Sequence, residues 1–174
     1  MRRRSIRLKS HDYSSGGLYS VTIVAARRQP LFSRVEGNGV RLTPLGRIVE
    51  QEWLRIPVMR PRAWLDVFVI MPDHFHGIVG LAPSDGRLSE AQGSLASVIG
   101  GFKASCTSRY RELIADPKAR LWHRGFYEHW VRGSDQLARI RRYILNNPRN
   151  SNRLRCACSC SPTSASIPFT PSPR

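Results

Sequence analysis

Between Trp64 and Leu81 the chain is almost continuously apolar, and the one turn signal inside that run, Pro72-Asp73, divides it into two strands, 64–71 and 74–81. Strands this apolar on both faces are expected near the middle of a sheet. Upstream, Leu18 to Ala26 is rich in β-branched and aromatic residues and reads as a first strand. Gly37-Asn38-Gly39 is the turn of a small hairpin between Leu31-Phe32 and Val40-Leu42. Thr43-Pro44 then opens a helix, with Thr43 as N-cap and an apolar stripe of Leu45, Ile48, Val49, Trp53 and Ile56, ended by Pro57 and Pro61.

Pro83 to Gly93 is a polar loop, followed by a second helix over Ser94 to Ile114 that is interrupted at Gly100-Gly101. Leu121 to Val131 holds a further strand approached through a loop. Gly133-Ser134-Asp135 is a turn and cap that launches a helix from Gln136 to Asn147, with Leu137, Ile140 and Ile144 facing the core. Pro148 ends that helix, because proline disfavours the helical conformation in the residue before it. Residues 1–17 form a basic arm, 18–150 one domain, and 151–174 a Ser-, Pro-, Thr- and Cys-rich tail expected to be disordered.

Composition narrows the partner. The 174 residues carry 28 Lys and Arg against 12 Asp and Glu, a formal net charge of +16. Such an excess favours a polyanion, with nucleic acid ahead of a membrane surface because no basic amphipathic or lipid-anchored segment is present. The first nine residues have the positive flank of a signal peptide, yet Ser10 to Gly17 is polar where an apolar segment would have to follow, so secretion by that route is not expected. No apolar stretch reaches the roughly 18 residues of a membrane span. A cytoplasmic, nucleoid-associated protein follows, without a disulfide framework. Cys106 stands alone, and the spacing of Cys156, Cys158 and Cys160 is not the C-x2-C of a structural zinc site.

The candidate chemistry starts at His74-Phe75-His76. Side chains alternate across a strand, so both imidazoles leave one face while Phe75 turns to the other. Alone, such a pair is also met as half-buried histidines satisfied by their neighbours. Its company is what makes it chemical. Tyr143 and Asn147 lie one turn apart on the last helix, which sets a hydroxyl nucleophile beside an oxygen ligand. If that helix packs on the face bearing His74 and His76, these two and Asn147 can hold a divalent ion with positions open for phosphate oxygens. Imidazole plus amide oxygen favours Mn2+ over Mg2+ in affinity, with Mg2+ the more abundant in cells.

Met71-Pro72-Asp73-His74-Phe75-His76-Gly77-Ile78-Val79, Gly93-Ser94-Leu95, Gly101-Phe102-Lys103, Leu121 to His129, and Arg142-Tyr143-Ile144-Leu145-Asn146-Asn147-Pro148 occur in that order. With these blocks the chain resembles the REP-associated tyrosine transposases, members of the HUH single-strand DNA nuclease superfamily, from about Arg3 through Asn150. The resemblance implies an α/β (α+β) ferredoxin-like antiparallel sheet with helices on one side. It also implies His74 and His76 as metal ligands on a central strand, Asn147 as third ligand, and Tyr143 as the nucleophile that forms a 5′-phosphotyrosine. Its substrate would be single-stranded DNA beside an imperfect palindromic hairpin, bound by a monomer or a homodimer. Asp73 stands where the family usually has Asn, and Arg149 to Arg174 lacks the apolar or Trp-containing segment that commonly follows.

Arg2, Arg3, Arg4, Arg7, Lys9, Lys103, Arg139, Arg141, Arg142 and Arg149 are candidate phosphate contacts, and His129 or Glu128 a candidate for proton transfer. Tyr127 is the rival nucleophile. The alternatives are a non-catalytic DNA- or RNA-binding relative, and a zinc protein using the tail cysteines.

Overall fold

A computed structural model of the chain describes residues 16–83 and 94–155. In order these form β1 (Gly17–Val24), a hairpin of β2 (Ser33–Glu36) and β3 (Gly39–Leu42), α1 (Pro44–Leu54), a short α2 (Ile56–Met59), β4 (Ala63–Ile70), β5 (His74–Leu81), α3 (Leu95–Ile114), β6 (Tyr127–Val131) and α4 (Gly133–Arg155). The main sheet is antiparallel throughout, in the order β4-β5-β1-β6. Two β–α–β crossovers, β1-α1-β4 and β5-α3-β6, interleave to give that order, which is the ferredoxin-like arrangement expected from the resemblance.

Local chemistry starts the helices where the sequence pattern expects them. Thr43 Oγ1 accepts the Gly46 amide at 3.0 Å and Ser94 Oγ accepts the Ser97 amide at 3.2 Å, each satisfying a donor that the first turn leaves unpaired. The stripes of α1 and α3 then bury Val49, Trp53, Val98, Ile99 and Phe102 against Tyr19, Val21, Ile23, Phe75 and Val79 of the sheet. At its centre Trp53 stands 4.5 Å from Phe75 and 5.3 Å from Phe102, ring centre to ring centre. Glu52, buried beside this cluster, ties the helices together through Arg109 at 3.0 Å, with Arg55 at 3.3 Å.

Five expectations change. β4 is an edge strand rather than a middle one, pairing only with β5; α1 and α2 lie on one face and α4 on the other, and this two-sided cover is what its apolar sequence records. Helices therefore occupy both faces of the sheet. The crossover helices α1 and α3 share one, and α4 crosses the other, where Ile144 joins Val69, Met71 and Ile78 with Val35 and Val40 of the hairpin alongside. Pro57 opens α2 instead of ending a helix, and α3 passes through Gly100-Gly101 unbroken.

The fifth change is that α4 begins at Gly133 and continues through Pro148 to Arg155. A proline inside a helix removes one hydrogen bond and crowds the carbonyl four residues back, at a cost of about 3 kcal/mol. Ile144, Asn147 and Pro148 are all buried, so packing rather than an unbroken hydrogen-bond ladder carries the chain through.

Two glycines separate close packing from open space. A Cβ on Gly46 would lie 2.0 Å from the Phe32 carbonyl oxygen, whereas one on Gly100 meets nothing within 4 Å. Gly46→Ala is expected to destabilise by at least about 2 kcal/mol and Gly100→Ala to stabilise by about 0.5–1 kcal/mol, read from urea midpoints at constant m.

Candidate active site

The period of two in β5 sorts the site from the core. Phe75, Gly77 and Val79 sit opposite Ile23, Val21 and Tyr19 and enter the α1–α3 core, while His74, His76 and Ile78 emerge beneath α4. The imidazoles of His74 and His76 meet edge to face, 4.7 Å apart and at 82°. Tyr143, projecting from α4, sets its ring edge-on to His76 at 5.5 Å and 76°. Residues 67 positions apart in sequence thus share one face, the arrangement on which the candidate chemistry depends.

Each histidine has one nitrogen held from outside the pair. His74 Nδ1 lies 2.6 Å from Asp73 Oδ1, and His76 Nδ1 lies 2.8 Å from Thr22 Oγ1, its cross-strand neighbour on β1. That leaves Nε2 of both rings without a partner among the described residues. Burial, helped by the neighbouring His74 and opposed by Asp73, lowers the pKa of His76 to about 4, so at neutral pH its lone pair is available. Two imidazoles oriented through their other nitrogens are the donor chemistry of a divalent-metal site. Among the described residues no three His, Cys, Asp or Glu side chains stand together as a metal-binding group. Asn147 offers an amide oxygen; it is 7% exposed and sits one turn beyond Tyr143 on α4.

Beside the tyrosine runs an open groove of about 390 Å3 lined by Ser20, His129, Gln136, Arg139, Ile140 and Tyr143. His129 reaches it because β6 alternates as well: Tyr127 and His129 pair with Thr22 and Ser20 on the α4 side. Glu128 pairs with Val21 and so belongs to the opposite face, which removes it as a proton-transfer candidate at Tyr143. Tyr127 occupies the His76–Thr22 row, two strands from His76, a separation of roughly 9–10 Å between backbones. Tyr143 is in ring contact.

The candidate phosphate contacts divide. Arg139 lines the groove, and Arg142 is exposed on α4. Lys103 instead donates to the carbonyls of His123 at 2.9 Å and Gly125 at 2.6 Å, which pins the loop leading to β6, and burial lowers its pKa. Arg141 is held by Asp66 of β4 through Nε and Nη2, the shorter contact being 2.6 Å. This pair anchors α4 to the sheet two residues before Tyr143. Arg2, Arg3, Arg4, Arg7, Lys9 and the tail cysteines lie outside the described residues, as does the side chain of Arg149. Cys106 is buried, and its thiol pKa is raised far above the ordinary value, foremost by desolvation.

Sequence reasoning missed Thr22, Gln136 and the Asp66–Arg141 pair. Asp73 carried a signal, being an acid beside a histidine in the turn. Thr22 carried none, since only the β1–β5 register brings it to His76.

No protein-family model matches the chain. An uncharacterized protein of Haemophilus influenzae is 35% identical over 162 residues, which span 84% of this chain and 88% of that protein. Among solved structures, a REP-associated tyrosine transposase bound to a REP hairpin aligns with a TM-score of 0.60 at 20% identity, over 83% of this chain and 74% of the other. That likeness is one of fold. No helix among the described residues is long and apolar enough to cross a membrane.

His76 gives the site an acid sensitivity with a definite sign. Its folded pKa, about 4, lies below the ordinary histidine value of 6.5, so as pH falls the unfolded chain takes up a proton that the folded chain refuses. Stability is full above about pH 6.5 and should decline by about 2 kcal/mol by pH 5. Urea denaturation at pH 7.5, 6 and 5 should show this slope in the wild type and a shallower one in His76→Asn.

Proposed function

We propose that this chain, which belongs to the same family as the Haemophilus influenzae protein and has the fold of a REP-associated tyrosine transposase, cuts and rejoins single-stranded DNA beside a hairpin through a covalent tyrosine intermediate. The observation that carries the reading is the contact of Tyr143 with His76, on the face where two imidazoles have no Nε2 partner among the described residues. A tyrosine serving only to pack would be expected to bury its ring, yet Tyr143 is 54% exposed at the mouth of a groove.

In the proposed reaction the Tyr143 oxygen forms a bond to phosphorus as the bond from phosphorus to the 3′ oxygen breaks. The phenol proton passes to solvent and the departing oxygen takes one up, leaving a 5′-phosphotyrosine and a free 3′-hydroxyl. One phosphate ester replaces another, so rejoining to a 3′-hydroxyl needs no nucleoside triphosphate. Mg2+ or Mn2+ held by His74, His76 and the Asn147 amide would polarise the phosphate and neutralise its developing charge. Asp73 and Thr22 hold the two rings in orientation, and Arg139 meets the incoming backbone as a fixed positive charge. Nucleophile and histidine pair meet within a single copy, which supports a monomer as sufficient.

The deciding experiment is a denaturing gel of the purified protein with end-labelled single-stranded hairpin oligonucleotides, with Mg2+, Mn2+ or chelator. A metal-dependent, SDS-resistant adduct is expected, lost in Tyr143→Phe and kept in Tyr127→Phe. Salt-sensitive binding without any adduct would instead indicate a non-catalytic nucleic-acid-binding relative. Calorimetric titration with Mn2+ gives a second check. Thr22→Val, which frees His76 Nδ1, should weaken metal binding by about tenfold.

A further inference from the structure

His129 faces the groove beside Tyr143, and its neighbours determine which of its nitrogens carries the hydrogen. The Arg132 backbone N–H can only donate, and it donates to Gln136 Oε1 at 2.5 Å. With the amide oxygen committed there, the other end of the side chain is Nε2, which also only donates, and it lies 2.6 Å from His129 Nε2. His129 Nε2 is therefore the accepting nitrogen. In the neutral ring the hydrogen is on Nδ1, which has no partner among the described residues.

We propose that His129 is a catalytic residue that donates its Nδ1–H to a non-bridging oxygen of the DNA phosphate at Tyr143, with Gln136 as the residue that positions it. This rests on the tyrosine-transfer reading above and deepens it. A nitrogen that carries a hydrogen has no lone pair to receive the phenol proton, and the nitrogen with the lone pair is occupied by Gln136. His129 is thus a fixed hydrogen-bond donor in the groove and not the base that activates Tyr143. As the tyrosine oxygen attacks, negative charge grows on the non-bridging oxygens, and a preoriented donor stabilises that charge more than the ground state. No proton changes hands in this contact. Ser20 and Arg139 flank the same groove and complete a polar, cationic cradle for one phosphodiester.

Asparagine places a side-chain N–H close to the position of a histidine Nδ1–H but has no basic nitrogen, which separates the two roles. With the full chain and hairpin DNA, His129→Ala is expected to slow adduct formation by about tenfold or more, and His129→Asn to recover to within about threefold of wild type. Nitrogen-15 resonances of the imidazole should identify Nδ1–H as the wild-type tautomer, and Gln136→Ala should shift the population toward Nε2–H while slowing adduct formation. His129→Asn as slow as His129→Ala, or an Nε2–H tautomer in the wild type, overturns the proposal. If the wild type forms no adduct at all, the tyrosine-transfer reading falls, while the Nδ1 proton still decides the donor role. A shift of that proton on adding a single-stranded oligonucleotide supports donation to phosphate, and no shift on an oligonucleotide that binds overturns it.

Discussion

The site depends on one constraint, the burial of Phe75. Its ring lies 4.5 Å from Trp53, 6.0 Å from Phe68 and 5.7 Å from Phe102, with no exposure to solvent. Because side chains on a strand alternate, placing Phe75 in that cluster places His74 and His76 on the opposite face. A slip of one residue would drive two imidazoles into an aromatic core and turn Phe75 outward, exchanging a large apolar burial for two unsatisfied rings. Gly77 is part of the same restriction, since a Cβ there would come within 2.7 Å of the Trp53 ring. The strand that carries the histidines is thus held in register by the residues between them.

The second half of the arrangement comes from α4, whose attachment to the histidine face is mixed in character. Ile144 supplies apolar contact with Ile78 and Met71, and Arg141 supplies a bidentate pair with Asp66, Nε donating to Oδ1 and Nη2 to Oδ2. Hydrophobic contact has no direction and would allow the helix to rotate or slide; the two-pronged guanidinium bond fixes both. Asp66 also accepts the Val67 amide at 2.7 Å, where the β4–β5 register shifts between Leu65 and Phe68. An irregularity in the edge strand thereby holds the acid that sets the position of the tyrosine-bearing helix.

Periodicity made much of this legible. The apolar run around Pro72-Asp73, the Thr43 and Ser94 caps and the spacing of Tyr143 and Asn147 are local signals, and local signals survive in a linear string. What they cannot carry is which strands are neighbours. Apolar content on both faces of β4 implied cover on both faces, and it does not say whether strands pair along both edges, so an edge strand between helices looks like a central one. Thr22, Gln136 and Asp66 were silent for the same reason: each is an ordinary polar residue until the fold brings it to its partner. Glu128 is the converse case, adjacent in sequence to His129 and on the other side of the sheet. Pro148 is a local signal that packing overrides, since the buried turn of Ile144, Asn147 and Pro148 holds the helix past its break.

Charge completes the physical account. Several carboxylates are engaged in structural pairs: Glu52 with Arg55 and Arg109, Asp66 with Arg141, Asp73 with His74, and Glu36 with Arg41. None of them lines the groove, whose walls are Ser20, His129, Gln136, Arg139, Ile140 and Tyr143. Among the described residues the positive excess of the chain therefore meets no acid lining the groove where the tyrosine is exposed. A neutral or cationic peptide would gain nothing from such a surface, and a compact monoanion would use little of it. An extended polyanion would engage the groove and the surrounding arginines together, releasing counterions as it did so, and this requirement joins the composition of the chain to the chemistry proposed for Tyr143.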